Sequence, residues 1–291
     1  MKLTFLGTGT SHGVPVIACD CKVCTSTDPK DKRYRSAAFI TTNDGKNILI
    51  DIGPEFRIQA IENKITKLDA VLLTHEHADH LHGIDDLRIF SCVMSNKPEN
   101  PNNKKYCAPP MPIYTNTNAA EHIRKCFPYL FRQVSEGGGH AKIELIEVSK
   151  TFIIGALEIT PIPMMHGSLP TTGWLFTETA DNGTKQSIAY LTDCNFISKD
   201  SINLIQNKCG ILKHLIIDGL RIKEHSTHFN FLQALAAAEE IGGEQIWITH
   251  LTHNSSHEET KEYLQKHLAE FPKLQNAKSV LPAFDKLTLE I

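Results

Sequence analysis

The chain has 291 residues, of which 41% are hydrophobic and 22% charged, an ordinary composition for a globular protein with a substantial core. Its formal net charge of −3 gives no electrostatic reason to expect general binding to nucleic acid or to an anionic membrane. Its apolar runs are far shorter than the roughly 18–20 residues of a membrane span, and its N-terminus lacks the pattern of a signal peptide. We therefore expect a cytoplasmic protein with reduced cysteines.

The predicted elements alternate hairpins with strand–helix units along the chain. Strands are predicted within residues 2–7, 37–53, 68–75, 142–148, 157–165, 173–193, 212–218, 244–250 and 285–291. Helices are predicted within residues 54–65, 83–94, 118–131, 230–242 and 256–271. Asn-Asp-Gly and Asn-Gly turns make hairpins of the 37–53 and 173–193 runs. This order favours one α/β domain over residues 1–291, with a proline-rich surface insertion at about 95–112.

Three cysteines lie close together near the N-terminus, in the segment IACDCKVCTS at residues 17–26. Cys19, Cys21 and Cys24 are an odd number for disulfides and one ligand short of a tetrahedral zinc site. In a reducing compartment, metal binding is the better use of clustered cysteines, and a loop of free thiols is the alternative. A metal here needs a fourth ligand from elsewhere in the fold.

Four predicted strands end on side chains that can bind metals. His75, His166, Asp193 and His250 each follow an apolar run directly. Ligand sites in α/β proteins gather at the carboxyl ends of strands, where loops leave a rigid sheet. One polar strand end is unremarkable by chance, but four of this kind favour a shared site.

The densest group of metal-binding side chains is the segment THEHADH at residues 74–80. His75 and His77 are two apart and point the same way in an extended segment, while Asp79 and His80 lie on the following turn. Imidazole and carboxylate are ligands that zinc, manganese and iron accept. The segment therefore predicts a site for two neighbouring metal ions.

The order of these residues resembles the metallo-β-lactamase superfamily over nearly the whole chain. The resemblance implies an αββα sandwich of two mixed β-sheets flanked by helices, with a dinuclear centre of zinc or manganese at one edge. Carried over, the ligands would be His75, His77 and His166 for one metal, Asp79, His80 and His250 for the other, and Asp193 as the bridge. Asp79 and Asp193 would then also serve catalysis.

The N-terminal run GTGTSHGVPVIACDCKVC resembles, more narrowly, the phosphodiesterases similar to the carbon–phosphorus lyase accessory protein PhnP. That resemblance implies a structural zinc held by Cys19, Cys21 and Cys24. The fourth ligand would follow the last histidine of the active site, which makes it His253 in ITHLTH. Such a site would be closed to substrate and would order the loop.

Two further positions are expected to support the reaction. The resemblance implies a histidine just before the helix in KEHSTHFNFLQAL, and His228 fits that position better than His225. It would donate a hydrogen bond or proton to the phosphate or leaving oxygen. Asp51 would accept a hydrogen bond from a ligating imidazole, although a plain turn aspartate is an alternative.

These features predict a metal-dependent phosphoric diester hydrolase with two catalytic divalent metals and one structural zinc. Its substrate would be a small cyclic or nucleotide-like phosphodiester, with no membrane or nucleic-acid partner, and a homodimer is left open. The alternatives are a transfer-RNA 3′-processing endonuclease, a thioester hydrolase of the glyoxalase II kind, and a metal-binding protein without catalysis. The nuclease would need a basic surface for RNA, which this slightly acidic chain does not offer.

Overall fold

The computed structural model describes residues 1–92, 109–132, 140–180 and 182–291. Within these residues the chain forms two stacked mixed β-sheets with helices packed on both outer faces. The αββα sandwich predicted from the sequence is therefore confirmed. None of the helices in the described ranges is long and apolar enough to cross a membrane.

The first sheet combines an antiparallel half with a parallel half. Its strands are β1 (Lys2–Gly7), β2 (Ala37–Thr41), β3 (Asn47–Ile50), β4 (Ala70–Leu72), β5 (Met111–Thr115), β6 (Ile143–Glu147) and β14 (Thr288–Glu290), in the spatial order β14-β1-β2-β3-β4-β5-β6. Pairing is antiparallel from β14 to β3 and parallel from β3 to β6. The carboxyl ends of β3 and β4 therefore meet at one edge.

The second sheet repeats this arrangement. Its strands are β7 (Phe152–Ile154), β8 (Leu157–His166), β9 (Leu169–Thr179), β10 (Lys185–Leu191), β11 (Ile211–Asp218), β12 (Gln245–Thr249) and β13 (Ser279–Pro282), in the order β13-β12-β11-β10-β9-β8-β7. Pairing is parallel from β13 to β10 and antiparallel from β10 to β7. Strands β8, β10, β11 and β12 thus all run the same way and end at the same edge.

Helices cover the outer faces of the two sheets. They are α1 (Phe56–Glu62), α2 (Ala78–Leu81), α3 (Arg88–Cys92), α4 (Thr117–Cys126), α5 (Lys199–Lys208), α6 (Phe231–Ile241) and α7 (His257–His267). Asn230 caps α6, because its side chain accepts a hydrogen bond of 2.8 Å from the backbone N–H of Gln233.

The main core lies between the two sheets. Large apolar side chains of both inner faces, such as Phe5, Ile40, Trp174 and Ile216, are fully buried there. Burying each of them contributes about 1.5–3 kcal/mol before the entropy of ordering is counted. This packing fixes both sheets against each other, so the strand ends at the shared edge form a rigid frame.

Several predicted boundaries are wrong, each for a local reason. The helix predicted from Pro54 begins at Phe56, after a turn. The helix predicted over 118–131 ends at Cys126, since Pro128 cannot continue it. Strands β5, β7 and β13 and helix α5 were not predicted from the sequence. Residues 95–108 of the predicted insertion at about 95–112 lie outside the described residues. Its last two positions, 111 and 112, are the first two residues of β5.

Candidate metal centre

The candidate site lies where strands of both sheets end at the shared edge. His75 follows β4 by three residues, His166 ends β8, and Asp193 follows β10. Asp218 ends β11, paired in register with Thr249, the residue before His250. The four strand ends singled out in the sequence therefore do come together, and Asp218 is a fifth that the analysis missed. Asp218 ends the apolar run LKHLIID, just as Asp193 ends an apolar run.

Three histidines form the first compact group. His75 Nε2 lies 2.9 Å from His77 Nδ1, and the ring centroids of His77 and His166 are 5.1 Å apart. One nitrogen from each of the three lies within 4.8 Å of the others. His166 donates its Nδ1–H to the carbonyl of Thr227 at 2.7 Å, which leaves Nε2 free for a cation. The group thus matches the first ligand set expected from the sequence.

Asp193 lies between this group and the remaining predicted ligands. Its Oδ1 is 3.9 Å from His75 Nε2, whereas its Oδ2 is 3.3 Å from His80 Nε2 and 3.2 Å from His250 Nδ1. Asp79 Oδ2 lies 3.1 Å from His80 Nε2. The two carboxylate oxygens of Asp193 therefore approach different histidines.

The buried donor atoms of this cluster suit cations. His80 Nε2 is buried and has no hydrogen-bond partner among the described residues, although two carboxylates lie within 3.3 Å of it. Burial opposes a charge on His80, but Asp193 and Asp79 outweigh burial and raise its pKa well above the ordinary value. A buried imidazole among carboxylates is a combination that a divalent metal stabilises, so the residues present fit the metals that the fold implies.

Asp51 organises the histidines from behind. Its Oδ2 accepts a hydrogen bond from His80 Nδ1 at 2.7 Å, and both its oxygens contact the hydroxyl of Thr74. The same hydroxyl lies 2.9 Å from His75 Nδ1. Asp51 is fully buried. It therefore orients one histidine directly and a second through Thr74, and Nε2 of each is left to face the cluster.

Three of these residues adopt a strained backbone conformation. Asp51, Asp193 and His250 have φ values of 59°, 56° and 64°, in the left-handed region that non-glycine residues rarely occupy. Each costs about 1–2 kcal/mol unless local contacts compensate. Such strain persists where the surroundings fix the backbone, and it clusters at functional sites.

Two glycines allow the backbone after β3 to pack directly on α2. A Cβ at Gly53 would lie 2.1 Å from the backbone oxygen of Asp79, and a Cβ at Gly83 would lie 2.2 Å from the backbone oxygen of Gly53. Ile52 also donates its N–H to the carbonyl of His80 at 2.8 Å. This close approach fixes the height of Asp79 and His80 above the sheet edge.

We expect Gly53→Ala to displace Asp79 and His80, because the obstructing atom belongs to the backbone and cannot rotate away. Affinity for the second metal should fall about tenfold or more, as it does when groups supporting ligands are lost. Gly45→Ala is the matched control: it strains a hairpin turn of φ 81° but meets no atom within 4 Å. It should cost stability without changing metal content. Equal metal content in the two variants, measured by elemental analysis, would contradict this role of Gly53.

His228 and His225 occupy different environments. His228 is 7% exposed, and its Nδ1 donates to Asp218 Oδ2 at 2.8 Å. Its ring lies 4.4 Å from that of His166, between centroids. Burial lowers the pKa of His228, but the Asp218 carboxylate outweighs it and raises the pKa to about 9. His225 is exposed and lies further out, with a ring separation of 5.3 Å from His228.

The cysteine loop meets His253 as the resemblance implied. The sulfurs of Cys19, Cys21 and Cys24 lie 3.3, 3.5 and 3.4 Å from His253 Nδ1, and all three cysteines are free. The N–H of Cys24 lowers the pKa of Cys21 to about 6, whereas burial raises that of Cys24 to about 11. The thiols share one small space, and a bound cation would convert all of them to thiolates. The four side chains thus fit a closed Cys₃His zinc site.

We expect Cys21→Ser to empty this site and to loosen the loop, because an alcohol is a poor replacement for a thiolate. Zinc affinity at the loop should fall by about tenfold or more, and the melting temperature should fall with it. Cys126→Ser changes an exposed free cysteine on α4 and should change neither. A Cys21→Ser protein with the zinc content and melting temperature of the wild type would contradict the site.

Comparisons with known proteins agree with this geometry. A family model described as a β-lactamase superfamily domain matches residues 46–251. A crystal structure described as a new diphosphatase from the PhnP family has 33% sequence identity and a TM-score of 0.78, covering 100% of this chain and 97% of its own.

The curated relatives are longer proteins. An octanoyltransferase of Porphyromonas gingivalis is 36% identical over 92% of this chain and 49% of its own length. An exodeoxyribonuclease, WalJ of Streptococcus pneumoniae, is 24% identical over 60% of this chain and 56% of its own. The chain thus spans about half the length of the curated relatives it matches. The family model and the fold together show that the chain belongs to the metallo-β-lactamase superfamily of hydrolases.

Proposed function

We propose that the chain hydrolyses phosphodiester bonds in small cyclic or nucleotide-like substrates, in a metal-dependent reaction. The observation that carries the proposal is Asp193, with one carboxylate oxygen toward each of two histidine groups, next to a buried His228 that Asp218 orients. Two cations flanked by a proton donor suit in-line displacement at phosphorus. The likeness to a diphosphatase of the PhnP family over the whole chain supports the same class of chemistry.

In this proposal the seven residues found at the sheet edge hold two divalent metals, zinc or manganese. The first set is His75, His77 and His166; the second is Asp79, His80 and His250; Asp193 serves both. When bound, such a pair supplies Lewis-acid chemistry, which makes a water nucleophilic at neutral pH and neutralises charge on phosphoryl oxygens. Asp51 and Thr74 keep the imidazoles oriented throughout.

His228 is proposed to donate a proton to the leaving group. Hydrolysis forms a bond from a water oxygen to phosphorus and breaks the bond from phosphorus to the leaving oxygen, which must then gain a proton. Because Nδ1 of His228 is committed to Asp218, Nε2 is the nitrogen that can donate. The Asp218 carboxylate raises the pKa of this ring, which favours the protonated form that a proton donor needs.

The rival activities have less support on the described residues. A nuclease for structured RNA needs a basic surface, and the chain carries 33 acidic against 30 basic residues. A thioester hydrolase has no obvious use for a buried His228–Asp218 pair. The octanoyltransferase name belongs to a protein about twice as long as the matched region, so it does not assign acyl chemistry to this region. A thiolate zinc site suits a reducing compartment, and we propose a cytoplasmic location on that ground.

A substrate panel tests the proposal. Metal-loaded protein should hydrolyse bis-p-nitrophenyl phosphate and at least one 2′,3′-cyclic nucleotide or dinucleoside diphosphate. It should leave precursor transfer RNA, a glutathione thioester and an octanoyl thioester intact. Faster turnover of either thioester than of every phosphate substrate would replace the proposal with an acyl-transfer class. Precise cleavage of precursor transfer RNA at its 3′ side would establish the nuclease instead.

A further inference from the structure

A buried ion pair connects the cysteine loop to the segment that follows His250. Arg33 and Asp31 are 2% and 3% exposed, and Arg33 Nη2 lies 3.4 Å from Asp31 Oδ1. The guanidinium also donates to two backbone carbonyls, Nη1 to Thr252 at 2.5 Å and Nη2 to Ser255 at 3.3 Å. Burying a guanidinium is costly, and its Nε finds no partner among the described residues, so the contacts of Nη1 and Nη2 have to offset that cost.

The pair joins the cysteine loop to the segment that carries the last two histidines. The backbone of Arg33 pairs with Val14 in both directions, at 2.8 Å each, at the base of the loop that holds the cysteines. Its side chain crosses to the carbonyls on either side of His253 and Asn254. Asp31 Oδ1 meanwhile accepts the N–H of His257, the first residue of α7, at 2.7 Å.

The segment that Arg33 contacts, residues 252–255, follows a residue with a strained backbone. His250 has a φ of 64°, and a non-glycine residue keeps that conformation only where neighbouring contacts fix it. Leu251, the residue after His250, donates its N–H to the carbonyl of Thr8 at 2.9 Å, and its own carbonyl accepts from the N–H of Thr10 at 3.2 Å. Beyond Leu251, the Arg33 side chain donates to the backbone carbonyls of Thr252 and Ser255.

We propose that Arg33 is a positioning residue for both metal sites. It fixes residues 252–255 so that His253 completes the cysteine site, and it maintains the left-handed turn that places His250 beside Asp193. Asp31 keeps the guanidinium neutralised and anchors the start of α7. This inference rests on the two metal sites proposed above, but it assigns a role to residues that touch neither metal nor substrate.

Arg33→Lys tests the proposal because lysine keeps the charge and loses the fork that reaches two carbonyls. The probe is Co²⁺ added to metal-free protein, since thiolate-bound cobalt has a charge-transfer absorption that reports the cysteine site alone. Arg33→Lys should weaken cobalt binding at that site about tenfold or more. With all sites loaded, it should lower kcat on bis-p-nitrophenyl phosphate and leave KM within about twofold.

Ile188→Val is the matched control, because it trims a fully buried side chain of the core between the sheets. It should lower the melting temperature and leave the cobalt absorption and kcat unchanged. Asp31→Asn is the second variant, in case Arg33→Lys does not fold. It keeps an acceptor oxygen but removes the charge opposite Arg33, and it should weaken cobalt binding several-fold.

Wild-type cobalt affinity in a folded Arg33→Lys or Asp31→Asn protein would overturn the positioning role. So would an equal loss of cobalt affinity in Ile188→Val, since general destabilisation would then explain the effect. If the wild-type protein itself shows no thiolate–cobalt absorption, the zinc site fails instead and this inference fails with it. The two failures are therefore distinguishable in one titration.

Discussion

Asp193→Ala is expected to lower turnover of bis-p-nitrophenyl phosphate by about a thousandfold, since paired cations supply several kcal/mol of transition-state stabilisation. Each oxygen of Asp193 faces a different set of histidines, so its removal takes a ligand from both proposed metals. It also removes the negative charge that offsets their repulsion. Elemental analysis should therefore find the paired site empty or nearly so, with the zinc of the cysteine loop retained.

Asp200→Ala is the control for this experiment, because it changes an exposed aspartate in the first turn of α5. It should keep full metal content and full turnover. An Asp193→Ala protein that retained two metals beyond the loop zinc, or wild-type turnover, would exclude Asp193 as the bridge. That outcome would leave the assignment of the fold unchanged.

His228→Ala is expected to lower kcat by about a hundredfold to a thousandfold without removing metal, as is usual for the loss of a general acid. The effect should depend on the leaving group. A nitrophenolate leaves without much help, so substrates with an alkoxide leaving group should lose more. Asp218→Asn should produce a smaller loss in the same direction, because the imidazole keeps its position and loses its charged partner.

His225→Ala is the matched control three residues away, on an exposed side chain. Its loss of kcat should be much smaller than that of His228→Ala with every leaving group. Because donor atoms of His166, Asp193 and His228 also lie within 4.8 Å of one another, the metal content of His228→Ala is the decisive measurement. Loss of metal from that variant would make His228 a ligand rather than a proton donor, and a stronger effect of His225→Ala would move the role to that residue.

The meeting of the site residues at one edge was predictable from the strand ends, because most of the strands that these residues follow are parallel. Apolar runs ending at Asp193 and His250 had to bring those side chains to one edge once β10, β11 and β12 paired in parallel. His75 follows β4 of the other sheet and reaches the same edge because the two sheets stack. Asp218 ends a parallel strand in the same way and was not predicted.

Other parts of the site depend on contacts that no local pattern encodes. The contact between Cys19 and His253 spans 234 residues, and only the family resemblance pointed to it. Arg33 looks like one charge among several in DPKDKRYR, and its burial follows from the meeting of two distant loops. The three-residue strand β7 is too short to show a period, so its existence depends on its partner β8.

Metal-dependent phosphodiester hydrolysis is tested most directly by titrating metal-free protein with Zn²⁺ or Mn²⁺ while following bis-p-nitrophenyl phosphate. After the cysteine loop is filled, turnover should rise with added metal and level off near two further equivalents, and a chelator should abolish it. Asp193→Ala should show no such rise. Protein that binds three metals per chain but leaves every phosphodiester uncleaved would contradict the proposed function, whatever the geometry of its metal sites.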